Sequence, residues 1–203
     1  MSSYEAVLFD FDGVLVDSEP VHFSCWQEIL KPFGVLLDWD TYYANCIGVS
    51  DRAMIESLCA CFGPTVPFDR LWAQYPRKKE LFRARMQREF VFASEIIELL
   101  ESLRDYRLAV VSSSGRNEVE PVLESAGIRS RFQAAIFGED VTRLKPAPDP
   151  YLLAMKRLNV QRALVVEDSD AGVASAHAAG LDVLRIPAQS EVPRLVKEKL
   201  GLR

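Results

Sequence analysis

Short apolar runs alternate with amphipathic helical stretches along most of this chain, and this alternation constrains its fold more than any other feature. The apolar runs are residues 6–9, 108–111, 134–137, 163–166 and 183–186. Stretches such as 149–158 and 170–180, which lie between the later runs, have the spacing of helices that bury one face. Strands that alternate with helices of about ten residues form parallel sheets through crossover helices. The sequence therefore predicts an α/β fold, a parallel sheet with helices on both faces.

The first two apolar runs are much farther apart than the others, and the segment between them is predicted to be helical. Residues 18–88 show helical patterns, without an apolar run comparable to the five strands. We therefore predict a discontinuous α/β core domain, formed by residues 1–16 and 90–203. Residues 17–89 are predicted to form an inserted all-α domain.

Composition excludes several classes of function. The formal net charge of −5 and the pI of about 5.2 are unfavourable for general nucleic-acid binding, which requires a basic surface. The apolar runs are too short to span a bilayer, and the N-terminus lacks the pattern of a secretory signal. The four cysteines lack zinc-ligand spacing and are interpreted as reduced thiols. We expect a cytoplasmic protein with neither nucleic-acid nor membrane partners.

Polar residues follow each of the first four predicted strands. In an open, Rossmann-like parallel sheet, ligands bind beyond the carboxyl ends of the strands, so these residues should meet in one cleft. Each group also has a structural interpretation, because Asp and Gly favour turns and Ser or Asp can cap a following helix. In chain order, the groups are Asp10 with Asp12, residues 112–115, Glu139 and Asp140 with the nearby Lys145, and residues 167–170.

The combination of these groups is chemically coherent. Two carboxylates at one strand end repel each other unless a cation or a proton lies between them. A hard divalent cation such as Mg²⁺ prefers oxygen ligands and supplies that charge. Ser112 and Lys145 could then hold an anionic group, while Asp10 acts as a nucleophile and Asp12 handles protons. This arrangement favours phosphoryl transfer.

These four motifs resemble those of the haloacid dehalogenase superfamily, in the same order and over essentially the whole chain. The resemblance implies that Asp10 is the nucleophile and Asp12 the general acid/base. It also implies that Ser112 binds phosphate and that Lys145 binds both phosphate and the nucleophile. We include Ser113, the neighbour of Ser112, among the candidate phosphate-binding residues.

The same resemblance implies a Mg²⁺ site and a cap. The metal ligands would be the carboxylates of Asp10 and Asp168 and the backbone carbonyl of Asp12, with Glu167 as a second acidic contributor. The inserted segment, residues 17–89, resembles the helical cap of that family.

Within the superfamily, Asp12 favours phosphatase or phosphomutase chemistry over dehalogenation, because dehalogenases lack an Asp at that position. Residues 10–26 are similar to the β-phosphoglucomutase-like branch, with His22 and Trp26 at the His and Trp positions of that branch. On this basis, His22 is a candidate substrate-binding residue.

The basic residues with which the mutases bind a second phosphate are not matched here. Ile47, Asp51 and Gly115 stand at three of those positions, and Arg52 and Arg116 lie one place further along. We therefore expect a weak second phosphate site and include the two arginines among the candidate substrate-binding residues.

We predict a Mg²⁺-dependent phosphatase that acts on a small phosphorylated metabolite, with sugar phosphates favoured, through an aspartyl-phosphate intermediate. A sugar phosphomutase is the main alternative. A phospho-accepting receiver domain and a non-catalytic binding scaffold are less favoured, because a receiver phosphorylates the Asp after its third strand and a scaffold need not keep every motif residue. A monomer or a weak homodimer is expected.

Residues 77–88 are rich in basic side chains and are interpreted as a solvent-exposed helix face. The functional alternative is that Lys78, Lys79 or Arg83 faces the cleft and attracts an anionic substrate.

Overall fold

The computed structural model describes residues 4–46, 51–62, 67–88 and 92–202. The chain divides into two compact units, which we call the core unit and the inserted unit. The core unit is Met1–Asp17 with Phe90–Arg203, and the inserted unit is Ser18–Glu89. Ile47 lies outside the described residues.

The core unit contains a five-stranded parallel sheet with the strand order β3-β2-β1-β4-β5. In the register, Val7 of the central strand is paired with Leu108 on one side and with Leu164 on the other. The strands are β1 (Ala6–Phe9), β2 (Arg107–Val111), β3 (Ala134–Ile136), β4 (Ala163–Glu167) and β5 (Asp182–Arg185). Each predicted strand is confirmed, with ends that differ by at most one residue.

One helix of the core unit precedes β2, and a helix follows each of the strands β2 to β5. They are α6 (Ser94–Ser102), α7 (Arg116–Ser125), α8 (Asp149–Leu158), α9 (Asp170–Ala178) and α10 (Val192–Leu200). Ser169 caps α9, because its side chain accepts a hydrogen bond from the N–H of Gly172.

Both faces of the sheet are buried, as its apolar strands predict. On one face, Leu8 and Val165 pack in a cluster with residues of α8 and α9, including Tyr151. Side chains alternate between the faces of a strand, and Val7 and Val166, which point the other way, are also fully buried. Helices α6, α7 and α10 supply further buried apolar faces. The predicted α/β fold with helices on both faces of a parallel sheet is confirmed.

The strand order places the predicted polar groups at one edge of the sheet. β1 lies between β2 and β4, so the residues after these three strands are neighbours. Backbone hydrogen bonds continue just beyond the strands, from the N–H of Asp10 to Val166 O (3.0 Å) and from the N–H of Ser112 to Ile136 O (2.9 Å). These two residues therefore have positions fixed by the sheet.

The inserted unit is helical in the residues described. Its helices are α1 (Glu19–Leu30), α2 (Trp39–Asn45), α3 (Asp51–Phe62), α4 (Phe68–Trp72) and α5 (Tyr75–Arg88). Residues 68–88 contain two of these helices, α4 and α5, which are separated at residues 73 and 74. Trp26, Leu30, Ile55 and Leu71 belong to a buried apolar cluster of this unit's own.

Within the described part of the chain, no helix combines the length and the apolar character that crossing a membrane would require.

Candidate active site

Asp10 and Asp12 lie on a tight loop that directly follows β1. Asp10 is buried, with 8% of its surface exposed. The loop closes through hydrogen bonds from the N–H of Gly13 to Val16 O (2.8 Å) and from the N–H of Val16 to Phe11 O (3.0 Å). Gly13 has φ = 76°, a left-handed conformation that favours glycine. The loop therefore turns the chain sharply just after the first carboxylate.

Lys145 reaches the end of the same strand from the loop before α8. Its ammonium donates to Asp10 Oδ1 (2.5 Å), to Glu167 Oε1 (2.6 Å) and to the carbonyl oxygen of Val111 (2.9 Å). The Lys145 side chain is only 5% exposed. The structure thus brings the predicted lysine into direct contact with the predicted nucleophile.

Glu167, at the end of β4, is completely buried and accepts hydrogen bonds at both oxygens. Oε1 accepts from Lys145 and from the hydroxyl of Tyr151 (2.8 Å). Oε2 accepts from the N–H of Asp168 (3.1 Å), the N–H of Ser169 (3.2 Å) and the hydroxyl of Ser169 (3.1 Å). Five protein donors therefore hold this carboxylate in place.

The serines after β2 form a short hydrogen-bonded chain. Ser112 is buried, and its Oγ accepts from the N–H of Ser114 at 3.0 Å. The hydroxyl of Ser114 donates to Asp12 Oδ2 at 3.2 Å. Ser113 lies between these two, and its carbonyl oxygen would be 2.6 Å from a Cβ at Gly138, so its backbone is closely packed.

The electrostatics of the cluster show more negative charge than its one ammonium neutralises. Burial, with the charges of Glu167 and Asp12, raises the pKa of Asp10 to about 8 despite the proximity of Lys145. Burial and the charge of Glu167 raise the pKa of Asp168 to about 6. Burial alone would lower the pKa of Lys145, but the two carboxylates it contacts raise it. The environment therefore favours an additional positive charge.

The donor set fits a hard divalent cation. One ligand atom from each of Asp10, Glu167 and Asp168 lies within 4.8 Å of the others. Carboxylate oxygens are the ligands that Mg²⁺ prefers, and a dication would relieve the charge imbalance. Because five hydrogen bonds already satisfy Glu167, Asp10 and Asp168 are the better-suited ligands of the three.

Arg116, a predicted substrate-binding residue, is engaged with neighbouring acidic side chains. Its guanidinium forms ion pairs with Asp140 (3.2 Å) and Glu120 (3.4 Å) and lies 4.4 Å from the centroid of the Phe137 ring. Phosphate binding by Arg116 would require an exchange of these contacts.

Arg52, on α3 of the inserted unit, is likewise paired. Its Nε lies 3.1 Å from Glu56, and its guanidinium packs over the rings of Phe68 and Trp72.

His22 belongs to a buried polar cluster of the inserted unit. The Lys78 ammonium donates to His22 Nδ1 (2.7 Å) and to both oxygens of Asp51 (3.1 Å each), and Trp26 Nε1 donates to Asp51 Oδ1 (2.7 Å). Lys78 is only 2% exposed, so the interpretation of its helix face as solvent-exposed is wrong at this residue. Burial and the charge of Lys78 lower the pKa of His22 to about 3.

The structure also identifies two residues that were not among the individual candidates, although Ser114 belongs to the predicted polar group 112–115. Ser114 contacts Asp12, and Tyr151 contacts Glu167. Ser114 could have been suspected from the Ser-Ser-Ser-Gly run, since Ser112 and Ser113 were already candidates. Tyr151 follows Lys145 by six residues, at the start of α8, but an aromatic residue there is equally typical of a helix packing into the core.

Gly13→Ala should weaken divalent-cation binding by displacing Asp168. A Cβ at position 13 would lie 2.0 Å from Asp168 Oδ2 and 2.6 Å from its Cγ, so the carboxylate would have to move. We expect Mg²⁺ affinity to fall on the order of 10-fold or more, as measured by titration calorimetry.

Gly127→Ala is the matched control, because Gly127 has φ = 70° and no atom within 4 Å of its Cβ position. Both variants carry a left-handed strain of about 1–2 kcal/mol, but only Gly13→Ala displaces a carboxylate. Equal affinities in the two variants would contradict the assignment of Asp168 as a ligand.

Lowering the pH should destabilise the inserted unit through His22. In the unfolded chain the imidazole gains a proton below about pH 6.5, whereas in the fold it stays neutral down to about pH 3, so stability is lost as the pH falls through this window. Linkage gives a loss of about 2 kcal/mol between about pH 8 and about pH 5.

His22→Asn keeps an acceptor for Lys78 but does not titrate. The unfolding free energy of this variant should therefore fall by about 2 kcal/mol less than that of the wild-type protein over the same pH range. Denaturant unfolding followed by tryptophan fluorescence measures it, since Trp26, Trp39 and Trp72 all lie in the inserted unit. Parallel pH profiles for the two proteins would contradict the prediction.

Comparison with known proteins relates this chain to a family of hydrolases. The phosphorylated carbohydrates phosphatase of Thermotoga maritima is 29% identical over 180 residues, covering 88% of this chain and 82% of the relative. The fructose-1-phosphate phosphatase YqaB of Escherichia coli is 30% identical over 189 residues, covering 90% and 96% respectively. A solved Thermotoga maritima structure with the provisional name β-phosphoglucomutase has a TM-score of 0.75 at 25% identity, over 96% of this chain and 99% of that one. Residues 7–186 match the family described as haloacid dehalogenase-like hydrolase, and the chain belongs to this family.

Proposed function

We propose that this protein is a Mg²⁺-dependent phosphatase that hydrolyses a small phosphorylated metabolite, with sugar phosphates as the favoured class, through an aspartyl-phosphate intermediate. The observation that carries the proposal is the buried Asp10 carboxylate, held by Lys145 within a cluster of carboxylates that favours a further cation. Such a group combines a nucleophile with the positive charge that a transferring phosphoryl group needs.

The relatives support the substrate class. The two curated proteins described above are named as phosphatases of phosphorylated carbohydrates and of fructose 1-phosphate. A sugar phosphate also agrees with the cytoplasmic location expected from the sequence.

The carboxylates of Asp10 and Asp168 and the backbone carbonyl of Asp12 would hold the metal ion. When bound, Mg²⁺ would neutralise charge on the phosphoryl oxygens and lower the repulsion between phosphate and carboxylates. Glu167, whose oxygens accept five hydrogen bonds, would hold Lys145 and add negative charge to the site.

In the first step, an oxygen of Asp10 attacks phosphorus and the bond from phosphorus to the sugar oxygen breaks. Asp12 donates a proton to the leaving oxygen, so that the sugar departs as an alcohol. Ser112 and Lys145 bind the non-bridging phosphoryl oxygens during this transfer. The products of the step are the free alcohol and phosphorylated Asp10.

In the second step, Asp12 accepts a proton from a water molecule that attacks the phosphorus of phosphorylated Asp10. The bond between phosphorus and Asp10 breaks, and inorganic phosphate leaves. Ser114 donates to Asp12 and can orient its carboxylate for both transfers. We further propose that residues 17–89 act as the cap that selects the alcohol group of the substrate.

Hydrolysis is favoured over phosphoryl return to a sugar because the chain lacks several of the basic groups that the mutase branch uses. Asp51 is an acidic residue paired with Lys78, and Gly115 has no side chain. Arg52 and Arg116 already form ion pairs with glutamate or aspartate side chains. A second phosphate would therefore be held weakly.

The primary test is hydrolysis of an aryl phosphate in the presence of Mg²⁺. Asp10→Asn should lower turnover on the order of 10³-fold or more, because an amide is not a competent nucleophile, and chelation should abolish activity until Mg²⁺ is restored. Asp105→Asn, at an exposed position of the core unit, is the matched control and should remain active. Turnover that survives exhaustive chelation would contradict the metal assignment, and halide release from a haloacid would contradict the chemistry.

A second experiment separates the phosphatase from the mutase. The protein is incubated with β-glucose 1-phosphate, Mg²⁺ and a trace of glucose 1,6-bisphosphate, and both inorganic phosphate and glucose 6-phosphate are measured. We expect phosphate release to exceed isomerisation, because a weak second phosphate site cannot retain the bisphosphate for phosphoryl return. Rapid isomerisation with little free phosphate would identify a mutase instead.

A further inference from the structure

Tyr151 is linked to Lys145 in two ways, indirectly through Glu167 and directly through its ring. Its hydroxyl donates to Glu167 Oε1 at 2.8 Å, and the same oxygen accepts from Lys145 Nζ at 2.6 Å. The ammonium of Lys145 also lies 5.1 Å from the centroid of the Tyr151 ring. Tyr151 is fully buried in the third position of α8, so these contacts are held in a rigid environment.

The Lys145 ammonium is shared between two competing carboxylates. It contacts Asp10 at 2.5 Å and Glu167 at 2.6 Å. A hydroxyl donor on Glu167 Oε1 offsets part of the negative charge at that oxygen and therefore weakens its attraction for the ammonium. Removing that donor should draw Lys145 towards Glu167 and away from Asp10.

The opposite side of Glu167 is fixed by the residues just before α9. The backbone N–H groups of Asp168 and Ser169 hold Oε2, and Gly172 allows the close approach, since a Cβ there would lie 1.7 Å from Glu167 Oε1. With Oε2 held by Asp168 and Ser169, the position of Oε1 depends on Lys145 and Tyr151.

We propose that Tyr151 is a positioning residue for the phosphatase reaction: its hydroxyl, acting through Glu167, and its ring, acting directly, hold the Lys145 ammonium against Asp10. The expected change in kcat rests on the proposed function, whereas the expected position of the Lys145 ammonium does not. Tyr151 also belongs to the apolar cluster beneath the sheet, and a purely structural role would involve its ring alone.

The kinetic test is Tyr151→Phe, which removes the hydroxyl and keeps the packed ring. For aryl phosphate hydrolysis we expect kcat to fall on the order of 10- to 100-fold with KM changed by less than about 3-fold, as when a residue supporting a reacting group is lost. Tyr42→Phe is the matched control, because Tyr42 is also buried and donates to a glutamate, Glu19 Oε2, at 2.7 Å in the inserted unit. An unchanged kcat in Tyr151→Phe, with a loss of stability similar to that of Tyr42→Phe, would overturn the proposal.

A double-mutant cycle tests whether the hydroxyl acts through Glu167. If it does, adding Tyr151→Phe to Glu167→Gln should cost much less than Tyr151→Phe costs alone. If the fold-losses in kcat of the two single variants simply multiply in the double variant, the hydroxyl does not act through Glu167.

A readout without catalysis separates this proposal from the proposed function. In the metal-free protein, the ¹⁵N and ¹H resonances of the Lys145 ammonium should shift in Tyr151→Phe and remain in place in Tyr42→Phe. If the wild-type protein hydrolyses no phosphate ester, the proposed function fails, while this measurement still tests the positioning of Lys145. Unshifted Lys145 resonances in Tyr151→Phe would overturn the inference.

Discussion

The buried ammonium of Lys145 is the interaction on which the arrangement of the site depends. Moving a charged amine and two carboxylates out of water is unfavourable, and it is tolerated only where hydrogen bonds and opposite charges surround each group. Lys145 satisfies this condition with Asp10, Glu167 and the carbonyl oxygen of Val111. Val111 and Glu167 end β2 and β4, and Asp10 directly follows β1, so a single side chain ties together the ends of three adjacent strands. The strand order thereby positions Asp10, the proposed nucleophile.

Much of this arrangement could be predicted from the sequence because a parallel sheet turns chain order into spatial proximity. Residues 6–9 and 163–166 are apolar runs buried on both faces, so the chain must leave the sheet at Asp10 and near Glu167. The contacts of Tyr151 could not be predicted, because they depend on how α8 is rotated against the sheet. An apolar periodicity gives the buried face of a helix but not which polar atom a hydroxyl on that face will meet.

In the inserted unit, even fewer of the side-chain contacts could be predicted from the sequence. Its helices follow from the sequence, but Lys78 lies in a basic stretch that is typical of a solvent-exposed surface. What buries Lys78 is a set of partners distant in sequence, Asp51 and His22, together with the rings of Trp26 and Phe82. Tertiary pairing of this kind overrides a local charge pattern, because a buried ammonium is stable once its donors are satisfied. Such partners have no local sequence signal.

The two buried lysines also differ in what their surroundings leave unbalanced. Lys78 and Asp51 form a pair of opposite charges, and burial keeps the neighbouring His22 neutral, so that cluster is close to electroneutral. Lys145, by contrast, faces Asp10 and Glu167 with Asp168 close by, and burial together with the neighbouring carboxylates raises the pKa values of Asp10 and Asp168. A site that is unbalanced in this way is costly for folding, but it is suited to binding a cation, which would supply the positive charge that the protein omits. The charge imbalance, more than any single residue type, separates Lys145 of the candidate site from Lys78 of the inserted unit.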